Sequence, residues 1–203
     1  MSLNKQKLVS ELKKAFQKNR SIVKSSTGHA SKYKQIDCAK FIADAIIEYA
    51  IDTEIQIPAP STLLGTTPST AGIPDPGSSG MKLKVIQQQA KAGKSSLENG
   101  INNSFAAGDA SMTTISAAII VYISSLLSFK NTSGAINASG TIAVTTPPIF
   151  ASSISKGLAG QSEDNVVNEM ATMIHSSFSS AVFTGIGSNT APPATGPIIS
   201  LLL

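Results

Sequence analysis

The stretch ASMTTISAAIIVYISSLLSF, residues 110–129, is the longest uncharged and largely apolar run in the chain, bounded by Asp109 and Lys130. Ile115, Ala118, Ile119, Tyr122, Leu126 and Phe129 recur at helical spacing and make one apolar stripe. Ile120, Val121, Ile123 and Leu127 make much of the opposite face apolar as well. A helix apolar nearly all round belongs in a protein core or a membrane, and this run is just long enough to span a bilayer. Ser111, Thr113, Thr114, Ser116, Ser124, Ser125 and Ser128 fit tight packing among protein neighbours, and no Lys/Arg cluster or Trp belt flanks the run. The sequence therefore predicts a buried central helix over 110–129, with a membrane span as the second reading.

Two weaker copies of the pattern lie on either side. AIIEY at residues 45–49 shares four of its five positions with AIIVY at 118–122. In the first copy Cys38, Ile42, Ala45, Ile46 and Tyr49 form the apolar face, while Lys40, Asp44 and Glu48 share the other, with Lys40 and Asp44 at i,i+4. In a fainter third copy Val166, Met170, Met173, Ile174, Phe178 and Val182 keep similar phase. Each copy runs into a β-prone stretch (54–57, 142–145, 182–186) and then a Thr/Pro/Gly turn at 66–68, 145–148 or 190–193. The expected fold class is α+β and helix-rich: several apolar helices, each followed by a short extended segment and a Pro/Gly loop, in a degenerate internal repeat. The uneven spacing argues against a regular solenoid. The expected organisation is a basic amphipathic helix and loop over 1–35, a first helix–strand unit with a long Pro-rich arm over 36–80, a central unit with the apolar helix over 81–150, and a third unit with an apolar tail over 151–203.

At 203 residues and 41% apolar composition the chain can bury a core, but only 14% of its residues are charged, against the usual quarter. Ser, Thr, Ala and Gly replace the charges, and such a surface suits packing into a large assembly. With no Trp and few other aromatics, platforms for stacking bases or sugars are not expected. The lone Cys38 lies on an inner helix face and reads as a small core residue.

Charge is uneven. Ten lysines and arginines fall in the first forty residues against Glu11 and Asp37 alone, so the net +4 comes from a basic N-terminal arm. Residues 3–20 read as an amphipathic helix with Leu8, Leu12, Ala15 and Phe16 buried. Its lysines are the solvated face of a packing helix or a contact for an anionic partner such as nucleic acid. No apolar leader is read in residues 1–20, so no signal peptide is expected. Residues 55–80 hold Pro58, Pro60, Pro68, Pro74 and Pro76 and read as an extended arm that orders on a partner through Leu63, Leu64 and Ile73. Residues 81–99 are expected to be helical with a break at Gly93, and Asn99-Gly100 reads as a turn. Ser162 is expected to cap the last long helix, with Glu163 and Asp164 in its first turn. The tail PIISLLL, 197–203, is expected to dock on this chain or a neighbouring subunit, and its deletion to impair assembly more than folding.

No catalytic, cofactor-binding or metal-binding residue is assigned. His29 and His175 have no acidic or cysteine companions at ligand spacing. Gly93-Lys94-Ser95 lacks the glycine a phosphate loop needs at the position of Gln88. Ser21 with Lys24, and Ser153 with Lys156, match an acyl-serine spacing that is frequent by chance. Asp44, Glu48, Asp52 and Glu54 cluster near Tyr49, with solvation as the ordinary explanation.

The stretches FIADAIIEYAIDTEIQIPAP, ISAAIIVYISSLLSF before TIAVTTPP, and MIHSSFSSAVFTGIGSNTAPPATG carry a resemblance. In style they are similar to small virion structural proteins of tailed bacteriophages, contractile-tailed ones among them. The resemblance implies a capsid, neck, tail or baseplate component, no enzyme and no cofactor. Its expected partners are other virion proteins or copies of itself, in a homo-oligomer within a larger assembly, and its expected location is the virion, assembled in the host cytoplasm. The alternatives are a small membrane protein with its span at 110–129, a capsid decoration protein, and a nucleic-acid-binding module using the N-terminal lysines.

Overall fold

A computed structural model describes residues 3–27, 35–58, 80–106, 113–134, 136–147, 163–190 and 193–203. The first helix, α1 (Lys5–Thr27), is started by Asn4, whose Oδ1 accepts the Gln6 N–H at 2.9 Å and so satisfies one of the open donors of the first turn. Leu8, Val9, Leu12 and Ala15 turn inward. They pack on α2 (Gln35–Ala50), which is buried nearly all round: between Cys38 and Ala50 only Lys40, Asp44 and Glu48 reach the surface.

The helix at the centre is thus α2, which corrects the expectation of a central helix over 110–129. That run divides into α5 (Thr113–Ser124) and a strand that already contains Phe129. α5 buries one side through Ile115, Ile119, Tyr122 and Ile123 and leaves Val121 59% exposed. Its 12 residues extend about 18 Å at ~1.5 Å per residue, short of the ~30 Å bilayer core. No helix among the described residues is long and apolar enough to cross a membrane.

Between α2 and α5 come α3 (Gln87–Ala92) and α4 (Lys94–Ala106). Gly100, expected in a turn, lies inside α4. A Cβ there would come within 2.4 Å of the Ala118 Cβ, so the missing side chain is what lets α4 and α5 approach. The last helix, α6 (Glu163–Ser179), carries Glu163 and Asp164 in its first turn and packs on α1.

The expected fold class is corrected by the sheet. The extended segments are not short appendages of separate units. They form one six-stranded antiparallel meander in the order β1 (Glu54–Gln56), β2 (Lys82–Val85), β3 (Ser128–Lys130), β4 (Ile136–Ala143), β5 (Val182–Thr190), β6 (Pro193–Leu201). The sheet curls until its ends meet. The Glu54 N–H donates to the Leu203 carbonyl at 3.1 Å, the Leu203 N–H returns a bond to the Glu54 carbonyl at 2.8 Å, and the Gln56 N–H donates to Ser200 Oγ at 2.9 Å. The result is a nearly closed, barrel-like sheet with helices over its inner face. β2 falls where the sequence predicted helix, and β6 where it predicted a Thr/Pro turn followed by a docking apolar tail.

Inward positions follow the period-2 rule. Ile55, Leu83, Val85, Phe129, Ile136, Ala138, Ile142, Phe183 and Ile198 are buried with the inner faces of the helices in one core. Phe129 and Phe183 meet edge to face with centroids 5.1 Å apart. Gly140 and Gly185 face each other in the β4–β5 register. A Cβ on Gly140 would sit 2.3 Å from the Thr184 carbonyl oxygen, and one on Gly185 2.6 Å from Phe183 Cζ. The two glycines let the strands close up under the phenylalanine ring.

The arm expected over 55–80 lies, from 59 to 79, outside the described residues. So do His29, the loop at 149–161, Ser162, and the pairing of Ser153 with Lys156.

Candidate interaction surface

The polar chemistry of the chain is mostly spent between its own elements. Of the four carboxylates near Tyr49, expected to be solvated, Asp44, Asp52 and Glu54 are instead paired with lysines of other elements, while Glu48 is exposed. Asp44 pairs with Lys94 at the start of α4 rather than with Lys40. Asp52, in the turn between α2 and β1, takes Lys7 of α1 and Lys84 of β2, the latter at 2.9 Å. Burial alone would raise the Asp52 carboxyl, but the two ammonium groups more than offset that and hold it below its ordinary value. Glu54 pairs with Lys82 at 3.4 Å. Of the N-terminal lysines, Lys13 pairs with Asp164 at 2.9 Å, Lys14 with Glu11 at 2.7 Å, and Lys18 lies 4.8 Å from the Phe41 ring centroid.

His175, which sequence reasoning left as an isolated polar residue, is joined to α2. The Tyr49 hydroxyl lies 2.5 Å from its Nδ1, and the Tyr49 ring makes an edge contact with Phe178 at 5.2 Å between centroids. Burial, with Lys5 adding repulsion, lowers the His175 pKa, and burial raises that of Tyr49. A neutral imidazole hydrogen-bonded to a protonated phenol is a structural lock between helices rather than an activated nucleophile. Among the described residues, no three of His, Cys, Asp and Glu stand together to hold a metal ion.

The feature that this internal pairing does not absorb is the outer face of the sheet. At β1 to β3 that face is charged, with Lys82, Lys84 and Lys130 exposed. At β4 to β6 it carries no charge. The outward residues there are Asn137, Ser139, Thr141 and Ala143 on β4, Val182, Thr184, Ile186 and Ser188 on β5, and Pro197, Ile199 and Leu201 on β6. Ile186 is 60% exposed, Ile199 63% and Leu201 51%. Register places Ile186 opposite Pro197, Thr184 opposite Ile199, and Val182 opposite Leu201, so apolar side chains run along β6 and flank Thr184 on β5. The tail thus divides: Ile198 and Leu202 complete the core while Ile199 and Leu201 face out. The sequence showed the apolar residues but not which way each points, because β6 was not read as a strand.

Comparison with protein-family models, with curated proteins and with solved structures finds no match to this chain.

Proposed function

We propose that the chain is a non-enzymatic structural subunit of a tailed-phage virion, a component of tail, neck or baseplate, and that it works through subunit–subunit packing. The observation that carries this reading is the outward strip of Ile186, Pro197, Ile199 and Leu201 on a sheet whose inner face is already filled. Contiguous exposed apolar surface of this kind marks a protein contact. The resemblance of the three helix-to-strand stretches to phage structural proteins supplies the kind of assembly. The pairing of Lys7, Lys13 and Lys14 with carboxylates of the same chain leaves fewer N-terminal charges for a phosphate backbone, which favours packing over nucleic-acid binding.

The test is immunogold electron microscopy of particles purified from cultures that encode the chain, with antibody raised against the recombinant protein. Label at the tail, neck or baseplate is expected. Label over the shell would assign the chain to capsid decoration, and intact particles free of the chain would overturn the reading.

A further inference from the structure

We infer that the joint between β1 and the end of the chain is a seam that opens in the folded protein, parting the sheet along one line while both strands stay anchored. It is a conformational device of the fold and holds whatever the chain assembles with.

The joint is short. Among the described residues, its backbone bonds are the two between Glu54 and Leu203, at 3.1 and 2.8 Å. The third bond leaves the ladder: the Gln56 N–H donates to Ser200 Oγ rather than to a carbonyl of β6. Each strand is held better on its other side. β6 pairs with β5 from Pro193 to Leu201. β1 pairs with β2 throughout, and two further bonds of 2.9 Å extend that pairing, from the Ile57 N–H to the Met81 carbonyl and from the Val85 N–H to the Thr53 carbonyl.

The sequence keeps the joint from lengthening. Alternate residues of a strand turn their backbone groups to opposite neighbours. The Leu202 N–H donates to Ala181 and the Leu203 N–H to Glu54, so the odd-numbered residues of β6 face the seam. Pro197 and Pro193 are among them and have no N–H to offer. On β1 the even-numbered residues Glu54 and Gln56 face the seam, and the next of that set is Pro58. A proline thus interrupts the donors of each strand on the edge where the ladder would continue.

Parting the seam disturbs little else. Ile55 and Ile57 hold β1 in the core, and Ile198 and Leu202 hold the last strand, all of them buried. A gap the width of a water molecule leaves these side chains in place. The three seam bonds are exchanged for bonds to water, and such an exchange is worth little net. Global unfolding must give up the core as well. The open seam presents two unpaired strand edges, which the closed sheet does not.

The experiment is native-state amide hydrogen exchange of the full chain, read residue by residue. After correction for intrinsic rates, the amides of Glu54, Gln56 and Leu203 should exchange at least about tenfold faster than those of Ile57 and Leu202, which face β2 and β5. Low urea should leave the fast set unchanged, because the opening exposes little surface. Ser200→Ala removes the third bond and should speed Gln56 further while leaving Ile57 and Leu202 as they are. Glu54 and Gln56 amides as protected as Ile57 overturn the seam. Leu202 exchanging together with Leu203 also overturns it, since that pattern is a fraying tail rather than a parted sheet. So does a Gln56 amide that Ser200→Ala leaves unchanged.

Discussion

The Tyr49 hydroxyl and the Nδ1 of His175 lie 2.5 Å apart and tie the most buried helix, α2, to the last helix, α6. Because the folded state lowers the His175 pKa, unfolded chains bind more protons than folded ones on acidification below the ordinary value of about 6.5. Stability is therefore full above that value and is lost as pH falls through the folded pKa. Urea melts between pH 5 and 8 should show the decline, and His175→Gln should flatten it. Tyr49→Phe keeps the edge contact with Phe178 and removes the hydrogen bond, at a cost of about 1–2 kcal/mol at neutral pH.

Asp52 responds in a lower range. Lys7 and Lys84 depress its folded pKa, so its contribution is present above the ordinary value of 3.8 and is lost as pH falls through the folded pKa. Asp52→Asn should reduce the sensitivity to acid below about pH 4. With both lysines partly exposed, the loss at neutral pH should be under about 1 kcal/mol for each pair. Acid titration followed by circular dichroism, wild type against variant, measures both.

Gly140→Ala should destabilise the chain by about 2–3 kcal/mol. The new methyl would press on backbone at Thr184 and Gly185, which no rotamer change can relieve. Chemical denaturation with an unchanged slope and a lowered midpoint is the expected result.

Removing residues 197–203 should unfold the sheet rather than spare the monomer, which reverses the expectation from sequence. The deletion takes Ile198 and Leu202 from the core, at about 2–3 kcal/mol each, together with much of the β5–β6 ladder and the bonds to Glu54. Ile199→Lys, changing one outward side chain, should leave the melting temperature within a few degrees of wild type. Thermal melts of the two variants separate these roles.

Part of this was legible in the chain. The stripe of Leu8 and Leu12 and the face of Ile42, Ala45, Ile46 and Tyr49 repeat at helical period, and burial in the structure follows them. The central helix was misplaced because hydropathy favours 110–129. What puts α2 at the centre is size: Ala39, Ala43 and Ala50 are fully buried, and small side chains let α1 and α4 close in around the Ile stripe. β2 was legible as the alternation Lys82, Leu83, Lys84, Val85, but four residues running into a helix are easily read as its first turn. β6 was hidden by Gly196 and Pro197, which normally argue against a strand and are tolerated here beside an edge. The candidate surface depended on β6. A shift of one residue in register exchanges inward and outward positions, so apolar composition alone could not divide Ile198 from Ile199.

The joining of β1 to the far end of the sheet also sets an order of events. Gln56 and Ser200 are 144 residues apart, so β1 emerges from the ribosome long before the strand that covers its outer edge. Helices α1 and α2 can pair early through local contacts, while the ring waits for the slowest and most distant pairing in the chain. Until then the edge of β1 is open, and in a crowded set of nascent copies it is free to pair with the wrong strand. Closure of the sheet is thus a checkpoint in time: it covers the edge of β1 and leaves the outer face of β4 to β6 exposed.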